Sequence, residues 1–351
     1  MCGRMLARVA GISILARATA TLFADGEMLK SLNEGKKISV QRLRLAYAAL
    51  ESDYRENTSV APIADVTTAM SYVAVRMNPI YSILHLIFSE LRNDLASSAQ
   101  PETLLDIGSG PGTALFAACS VWDGLSRLVA VERQSVFISI AKALVQEIQK
   151  AGELGMPYRN LSWERSSVSS LVSKERVDLS VASFMLGELS ESDVLPCIDS
   201  IWSRTKRFFV IVEPGTMKGF ARLAGVRMHL ISKGAQIVAP CGGNWKCQSK
   251  WCHFSERVTR TKLHQSIKEA TLGYEDEHYC YLVASREALP FVGNRIVGTI
   301  RSNKFQTVVP VCSSEGGGEL HDVTFAKRSQ ASEYRELKRS KWGERLLLRT
   351  R

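Results

Sequence analysis

Three cysteines lie close together in a polar stretch, and a fourth follows much later in the chain. Cys241, Cys247 and Cys252 are spaced C-x5-C and C-x4-C among Gly, Asn, Lys, Gln and Ser, and Cys312 lies in a strand-like segment. Free cysteines prefer apolar cores, so the polar cluster predicts thiolates that bind a metal. The spacing lacks the C-x2-C knuckles of common zinc ribbons. A [4Fe–4S] cluster with one remote ligand suits looser loops, while zinc stays an alternative because four thiolates also bind it.

A glycine-rich turn between a predicted strand and a predicted helix is the second chemical motif. Gly108, Gly110 and Gly112 let the backbone turn sharply and let a ligand approach it. The helix that follows offers free N–H groups at its amino terminus. Asp106 precedes the first glycine, and Glu132 ends the next predicted strand, where an acid accepts hydrogen bonds from ribose hydroxyls. The acid before G-x-G-x-G favours S-adenosylmethionine over NAD, and we predict these five residues as its binding site.

The strand end that would face the transferred methyl group carries no recognisable catalytic signature. Segment 177–183 is followed by 184–189, which lacks the Asn-Pro-Pro-aromatic tetrad that holds an exocyclic amine. Pro196-Cys197 lies in a helical context without a partner motif. Glu188 and Glu213 are acids at strand ends, and we expect structural roles at turns for both. The catalytic residues are therefore unknown, and the sequence leaves open whether the protein is an enzyme.

Short apolar segments alternate with helical periodicity, which predicts an α/β fold built on a parallel sheet. Amino-terminal helices are predicted over 38–58 and 66–95. Six strands are predicted, the last two closing the same sheet: 103–107, 127–131, 177–183, 207–212, 279–285 and 306–312. Roughly 65 residues separate the fourth strand from the fifth, more than a crossover needs, and this insertion holds the cysteine cluster.

These segments predict four parts along the chain. They are an amino-terminal helical segment (1–95), a cofactor-binding core (96–236), a cysteine-rich metal-binding insertion (237–278), and closing strands with a basic carboxyl-terminal segment (279–351).

Positive charge is concentrated in the carboxyl-terminal half. Of the net +10, residues 201–351 contribute +13, from 26 Lys and Arg against 13 Asp and Glu. A basic half of this kind favours a polyanionic partner such as RNA, while solubility charge is the alternative. Basic residues also follow the aromatic pair of segment 251–254, a pattern that suits RNA backbone and splayed bases. The predicted RNA-binding residues are Arg257, Arg260, Lys262 and Lys268.

The lengths of the apolar runs and the amino-terminal segment give expectations about the cellular compartment. No apolar run approaches the roughly 18 residues that would span a bilayer, so we expect no membrane partner. Segment 1–23 has three arginines and no acid, which fits an organellar transit peptide or a plain first helix. A bacterial cytoplasm and a mitochondrial matrix both fit, and the compact length favours the bacterial case. We expect a monomer.

Several segments together resemble one known family, the small-ribosomal-subunit methyltransferase-like proteins of mitochondria and their bacterial relatives. The similar residues cover roughly 60–345, and the cysteine-tryptophan-histidine motif is specific. They are Ser71–Met77, Ala239–Cys241, Trp251–Phe254, Arg257, Gly273–Glu277, Tyr281-Leu282, Val311-Cys312, Lys327-Arg328, Tyr334-Arg335 and Lys341–Gly343. Gly242-Gly243 and Gln248 depart from the family, which often has Pro-His and Pro there, and this predicts a more mobile loop.

The resemblance implies a class I, Rossmann-like S-adenosylmethionine-dependent methyltransferase fold. It implies action on the small ribosomal subunit during assembly, and a [4Fe–4S] cluster bound by Cys241, Cys247, Cys252 and Cys312. Our first hypothesis is an assembly factor that binds the rRNA and proteins of that subunit. The alternatives are a catalytically active rRNA methyltransferase and an iron–sulfur redox sensor that gates translation.

Overall fold

The computed structural model describes residues 17–23, 38–56, 63, 65–95, 99–150, 160–167, 175–289, 293–313 and 317–346. Most of the predicted transit segment lies outside these residues. The chain forms two compact units, and each is described by itself below. The first contains residues up to Thr205 together with Glu256–Glu277, and the second contains Lys206–Ser255 together with the residues from His278 onward. The four-part division predicted from the sequence stays a prediction about segments of the chain.

The first unit begins with helices, as the periodicity predicts. Residues 17–23 are helical, and they are followed by α1 (Val40–Glu56) and α2 (Val66–Asp94). Asp65 caps α2, because its carboxylate accepts a hydrogen bond of 2.9 Å from the Thr68 N–H. Most of α2 is buried, including both sides of Pro79, and it packs against α1. The amino-terminal helices therefore belong to the core of this unit.

Four parallel strands form the sheet of the first unit. They are β1 (Thr103–Ile107), β2 (Arg127–Val131), β3 (Leu161–Glu164) and β4 (Val177–Ser183), in the order β3-β2-β1-β4. Helices α3 (Thr113–Val121), α4 (Ser135–Lys150) and α5 (Glu191–Arg204) connect or follow them. The strands β1, β2 and β4 are confirmed at their predicted bounds. This doubly wound order brings the carboxyl ends of β1, β2 and β4 to one edge.

Strand β3 was not predicted, because it is short and none of its residues is fully buried.

The second unit contains an antiparallel arrangement around one long strand. Strand β5 (Thr205–Pro214) is followed by α6 (Met217–Ser232), β6 (Gln236–Ala239) and β7 (Phe254–Thr259), which leads to α7 (Lys262–Lys268). Strand β8 (Tyr274–Ser285) runs antiparallel to both β5 and β6. Residues 256–277, which include most of β7 and all of α7, belong to the first unit.

A second sheet completes the second unit and corrects one prediction. Strand β11 (Gln306–Ser313) was expected to close the first sheet, but it pairs with β9 (Asn294–Ile296), β10 (Arg301–Ser302) and β12 (Glu319–Ala326), and β13 (Arg345–Leu346) pairs with β9. This sheet has its own core with α8 (Ala331–Leu337), because its inward apolar residues pack on one another. They are Ile296, Val309, Val311, Phe325, Leu337 and Leu346.

The fold class is confirmed as α/β with amino-terminal helices and the class I methyltransferase fold. Within the described residues, no helix combines the length and apolarity that crossing a bilayer requires.

Candidate functional site

A cleft at the carboxyl ends of β1, β2 and β4 is the candidate cofactor site of the first unit. It is lined by Gly108 and Gly110 after β1, Glu132 after β2, and Phe184 after β4. The space within the cleft, including its open mouth, is about 850 Å³. Open α/β sheets bind ligands at this edge. Three of the five predicted cofactor residues, Gly108, Gly110 and Glu132, line this cavity, whereas Asp106 and Gly112 are not among its lining residues.

The glycine turn needs glycine for two different reasons. Gly108 has φ +64, and a Cβ there would lie 2.9 Å from the Met185 Cβ, so no larger residue fits. Gly110 has φ +51, but a Cβ there would meet open space. Gly110 thus needs glycine for its backbone conformation, because a φ of +51 strains any residue with a side chain, although an added Cβ would find room there.

Asp106 is fully buried at the end of β1, and neither oxygen of its carboxylate has a hydrogen-bond partner among the described residues. Burial, reinforced by the charge of Glu132, raises its pKa to about 8. An unpartnered buried carboxylate is costly unless a ligand supplies the missing donors. The α-ammonium of S-adenosylmethionine is such a donor, so the residues present fit this cofactor.

We predict that Asp106→Asn makes stability less dependent on pH. The carboxyl of the unfolded chain has a pKa near 3.9, whereas the folded value is about 8. Between about pH 4 and pH 8 the folded state binds more protons, so the wild-type free energy of unfolding falls as pH rises. Since one pKa unit corresponds to about 1.4 kcal/mol and the folded and unfolded values differ by about four, the variant should lose up to about 5 to 6 kcal/mol less across this range. Urea unfolding at a series of pH values measures the difference.

The control for this experiment is Asp123→Asn, because Asp123 is exposed in a turn. It should keep the wild-type slope of stability against pH. If Asp106→Asn keeps the wild-type slope of stability against pH, the raised pKa of Asp106 in the folded protein is contradicted.

The Glu132 carboxylate is held by two hydrogen bonds from backbone N–H groups. Its Oε2 accepts a hydrogen bond of 2.9 Å from the Gly110 N–H, and its Oε1 accepts one of 2.8 Å from the Gln134 N–H. Burial raises the pKa of Glu132, and these hydrogen bonds oppose that effect. Each carboxylate oxygen can accept two hydrogen bonds, so both keep a position for a ribose hydroxyl.

Phe184 and Glu188 form part of the opposite wall. Phe184 has φ +55, which is unusual for a bulky residue and is found mainly where function requires it. The Glu188 carboxylate accepts hydrogen bonds from the Tyr54 hydroxyl at 3.4 Å and from Arg133 at 3.2 Å, and burial raises its pKa. Glu188 thus connects Tyr54 and Arg133 by hydrogen bonds at the wall of the cleft. The second acid considered from the sequence, Glu213, is fully buried in an ion pair with Arg222.

The second unit brings the remote cysteine to the cluster. Cys312 in β11 shares a hydrogen bond with Cys241, which follows β6. That bond lowers the pKa of Cys241 and raises the pKa of Cys312. Burial and the charges of Cys241, Cys247 and Cys252 raise the pKa of Cys312 further. The four thiols therefore interact electrostatically as one group.

Two buried arginines hold the loop that carries Cys241. Arg295 lies opposite Cys312 in the pairing of β9 with β11, and its guanidinium donates to the carbonyls of Pro240 at 2.5 Å and Gly343 at 2.7 Å. Arg227 on α6 donates to the carbonyls of Gly243 at 2.6 Å and Trp245 at 3.1 Å. Both guanidinium groups lower the pKa of Cys241.

Sequence reasoning missed Arg227 and Arg295. For Arg295 the available signal was its position directly before the apolar residues Ile296 and Val297, where a charge is not expected without partners.

The conformation of the cysteine loop depends on Gly243. Its φ is +127, and a Cβ there would overlap the Trp245 ring. Its N–H donates to the Ile237 carbonyl at 2.9 Å, and Arg227 binds its carbonyl. The Trp245 ring thus packs directly on Gly243, which leaves no room for a side chain there.

Aromatic rings flank Cys252 on both sides. The rings of Trp251 and His253 stack with centroids 4.3 Å apart, and His253 also meets the Trp342 ring at 4.7 Å. His253 therefore serves in an aromatic cluster, and burial lowers its pKa.

Cysteine thiolates are the usual ligands of iron–sulfur clusters, and the four predicted ligands influence the pKa values of one another. In the part of the chain that the structure describes, no group of three or more His, Cys, Asp or Glu side chains is arranged so that it could hold a metal ion. The predicted metal-binding insertion is therefore taken up below as a proposal.

The four predicted RNA-binding residues lie on β7, on α7 and in the connection between them, but three of them face carboxylates. Arg257 pairs with Asp276 at 2.7 Å, and Arg260 pairs with Glu275 at 3.1 Å. Lys268 lies 3.7 Å from Glu275 as well. Burial raises the pKa of Glu275, but the approach of His264 to 3.4 Å, the charge of Lys268 and the hydrogen bond from Arg260 together lower it to about 2. Arg260 and Lys268 thus stabilise the fold locally, while Arg257 and Lys262 stay exposed.

Comparison with known proteins points to ribosomal proteins. The family model of the mitochondrial small ribosomal subunit protein Rsm22 matches residues 66–347. The chain is 26% identical over 295 residues to the human mitochondrial ribosome assembly protein METTL17, which covers 79% of this chain and 62% of that protein. It is 25% identical over 290 residues to the mitochondrial Rsm22-cox11 tandem protein 2 of Schizosaccharomyces pombe, covering 74% and 37%. The chain thus spans less than two thirds of these relatives.

Solved structures of methyltransferases are similar at a low level. Magnesium protoporphyrin IX methyltransferase of Synechocystis with bound SAH has 12% identity and a TM-score of 0.40, covering 71% of this chain and 99% of that one. Precorrin-6y C5,15-methyltransferase of Geobacter metallireducens has 15% identity and a TM-score of 0.37, covering 59% and 88%. At such TM-scores they carry no argument about the site.

Proposed function

The chain belongs to the family of the mitochondrial small ribosomal subunit protein Rsm22, and on that premise we propose that it is an assembly factor of the small ribosomal subunit. It binds the rRNA and proteins of that subunit as a monomer. The observation that carries this proposal is the family match over residues 66–347, which spans most of both units. Human METTL17, a ribosome assembly protein by its name, supports the same role.

The cleft of the first unit binds S-adenosylmethionine in this proposal. Asp106 accepts hydrogen bonds from the α-ammonium, Glu132 accepts them from the ribose hydroxyls, and the N–H groups of the glycine turn border the ligand. The cofactor, when bound, supplies an electrophilic methyl group on a sulfonium. In this proposal the role of the cofactor in assembly is structural or sensory, and it supplies Asp106 with donors that none of the described residues provides.

The four cysteines bind a [4Fe–4S] cluster in this proposal, with zinc as the less favoured metal. Cys241, Cys247, Cys252 and Cys312 are the ligands, and the hydrogen bond between Cys241 and Cys312 supports their joint role. A cluster cross-links the loop after β6 to strand β11 and so fixes the surface around it.

A second candidate function is catalysis of rRNA methylation. The observation that favours it is the wall of the cleft, where Glu188 carries a raised pKa and Phe184 keeps a strained backbone. A carboxyl with a raised pKa can accept a proton from a methyl acceptor near neutral pH. Loss of one methylated nucleotide in cells that lack the protein would favour this candidate.

The mitochondrial matrix is the compartment that we propose if the source is a eukaryote. Both relatives are mitochondrial by name, and this gives no support to the bacterial cytoplasm that chain length favours. Of the predicted RNA-binding residues, Arg257 and Lys262 are proposed to meet rRNA, while Arg260 and Lys268 hold Glu275.

The test replaces Gly110 by Asp in cells depleted of the protein. The new carboxylate enters open space beside Glu132, whose Oε2 is bound to the Gly110 N–H, so charge repulsion disturbs the ribose site. If the cofactor is needed, this variant fails to restore small-subunit maturation and the purified protein loses S-adenosylmethionine binding by calorimetry. Sucrose-gradient profiles and 3′-end mapping of the rRNA measure maturation.

The matched control is Gly234→Asp, because Gly234 is exposed, also has a positive φ (+81), and a Cβ there also meets open space. It should restore maturation fully. Full rescue by Gly110→Asp, with binding of the cofactor abolished, would make the protein a scaffold whose cleft is dispensable. Normal subunit maturation in cells without the protein would overturn the assembly role itself.

A further inference from the structure

Exposed basic side chains gather on one side of the second sheet, away from the residues that sequence reasoning selected. We call them the C-terminal basic surface. They come from the turn after β10, the turn after β12, and α8 with the residues that follow it, and all are exposed. They are Lys304, Lys327, Arg328, Arg335, Lys338, Arg339 and Lys341.

Direct contacts join the three segments into one surface. The Lys327 N–H donates to the Phe305 carbonyl at 2.7 Å, which links the two turns. The Tyr334 hydroxyl on α8 donates to the Asn303 carbonyl at 2.6 Å, and the Lys327 Nζ lies 6.0 Å from the centre of the Tyr334 ring. These contacts hold the backbones of the three segments next to one another.

The charges of this surface are available to a ligand. In the described part of the chain, none of its seven cations forms a salt bridge, whereas Arg257, Arg260 and Lys268 all pair with acids. The acids of α8 are Glu333, which accepts a hydrogen bond from the Ser332 hydroxyl, and Glu336. A third acid, Glu344, accepts a hydrogen bond of 3.1 Å from the Lys341 N–H. Three acids among seven cations leave a net positive surface, which attracts phosphates.

We propose that the C-terminal basic surface binds the phosphate backbone of single-stranded RNA and that Phe305 stacks on one of its bases. The Phe305 side chain is 67% exposed at the tip between β10 and β11, and the Lys304 Nζ lies 4.9 Å from its ring centre. An exposed aromatic ring beside cations is the arrangement by which proteins hold unpaired bases. This inference rests on the proposed rRNA-binding function and names the surface that carries it.

An anionic membrane is the alternative partner for a basic surface, but α8 lacks the structure of a membrane-binding helix. A helix that lies on a membrane needs a free apolar face. The apolar side chains of α8, Tyr334 and Leu337, are buried in the core of the second sheet instead. The surface thus offers charge and one aromatic ring, which fits single-stranded RNA better.

The test measures binding of the purified full chain to a labelled transcript from the small-subunit rRNA of the same organism. The variant changes four surface cations to Gln: Lys327, Arg328, Lys338 and Arg339. Each phosphate contact on a single strand contributes about 0.7 to the slope of log K against log salt, so the slope should fall by about 2 to 3. Affinity at fixed salt should fall about tenfold or more. Phe305→Ala should weaken binding to an unpaired segment about fivefold to a hundredfold, and binding to a duplex little.

The control changes four exposed cations elsewhere to Gln: Lys142, Arg165, Lys206 and Lys218. It removes the same charge and should keep most of the slope. If the wild-type chain does not bind the transcript, the proposed rRNA-binding function fails. If it binds and the surface variant binds equally well, only this inference is overturned. Loss of binding to vesicles of phosphatidylcholine and cardiolipin, with RNA binding intact, would assign the surface to a membrane and overturn it as well.

Discussion

Cys312→Ser is expected to leave the purified protein without iron, whereas the wild-type chain prepared without oxygen should carry about four iron and four sulfide per chain. Four thiolates, one at each iron, are the usual ligands of a [4Fe–4S] cube, and serine is a poor replacement. Cys312 is the decisive proposed ligand to change, because it lies far from the other three in the sequence. Its hydrogen bond with Cys241 and its electrostatic interaction with Cys247 and Cys252 support its choice.

The measurement is iron and sulfide content together with the visible absorption of the cluster. Loss of the metal should also lower the thermal midpoint, because binding energy at a structural metal site adds to folding energy. The matched control is Cys280→Ser, since Cys280 is also a buried strand cysteine of the second unit, with its thiol 3.3 Å from the Pro214 carbonyl. That variant should keep its iron.

Three outcomes contradict the cluster in different ways. One zinc per chain in the wild type would replace the cluster by a zinc site. Iron that survives in Cys312→Ser would remove Cys312 from the ligand set. Four reduced thiols without any metal, in protein purified without oxygen and from iron-replete cells, would reject the metal site altogether.

The cofactor cleft was largely predictable, because its chemistry is local in the sequence. An apolar strand, a glycine turn and an acid at the next strand end are each visible within a few residues, and the parallel pairing of β1 with β2 then brings Asp106 near Glu132. The sequence did not indicate that the buried carboxylate of Asp106 has no hydrogen-bond partner among the described residues. The absence of a partner depends on every neighbour in the fold.

The second unit was less predictable, because its site depends on long-range register. Alternating residues in 306–312 predicted a strand correctly, but alternation does not say which sheet the strand joins. The approach of Cys312 to Cys241 depends on the pairing of β11 with β9, which sets Arg295 opposite Cys312. Arg295 in turn binds the carbonyl just before Cys241. No local pattern contains these contacts.

The assignment of Arg260 and Lys268 to RNA shows a related limit. Basic residues near aromatic ones predicted binding to RNA, and the acidic run 275–277 lay nearby in the sequence. Pairing of β7 with β8 brings Glu275 against Arg260, and α7 then adds Lys268. Counting basic residues along a chain gives the number of positive charges present, whereas binding to RNA depends on the cations that remain exposed after folding.

Arg295→Met is expected to lower the free energy of unfolding by about 3 to 5 kcal/mol, because it removes a buried charge that is held by specific partners. Arg295 is 1% exposed, and methionine fills much of the same space without donating hydrogen bonds. The carbonyls of Pro240 and Gly343 would lose their donors, and a buried carbonyl without one costs about 1 to 3 kcal/mol. Urea unfolding of the metal-free protein measures the change.

Arg301→Met is the matched control, since Arg301 is an exposed arginine on the neighbouring strand β10 in a surface ion pair with Asp322. Its expected effect is within about 0.5 kcal/mol. Arg295→Lys should fall between the two, because an ammonium group on a flexible stem does not reproduce the planar fork of arginine. A loss below about 1 kcal/mol in Arg295→Met would contradict the structural role.

A double-mutant cycle separates the two roles that the structure gives Arg295. Its guanidinium binds the loop backbone and also lowers the pKa of Cys241. If only the backbone bonds matter, Arg295→Met costs the same free energy in a Cys241→Ser chain, and the effects add. If attraction to a Cys241 thiolate contributes, the cost is smaller in the Cys241→Ser chain at a pH where the thiolate is formed. Non-additivity that disappears at low pH would therefore show that Arg295 prepares the thiolate for a metal as well as holding the loop.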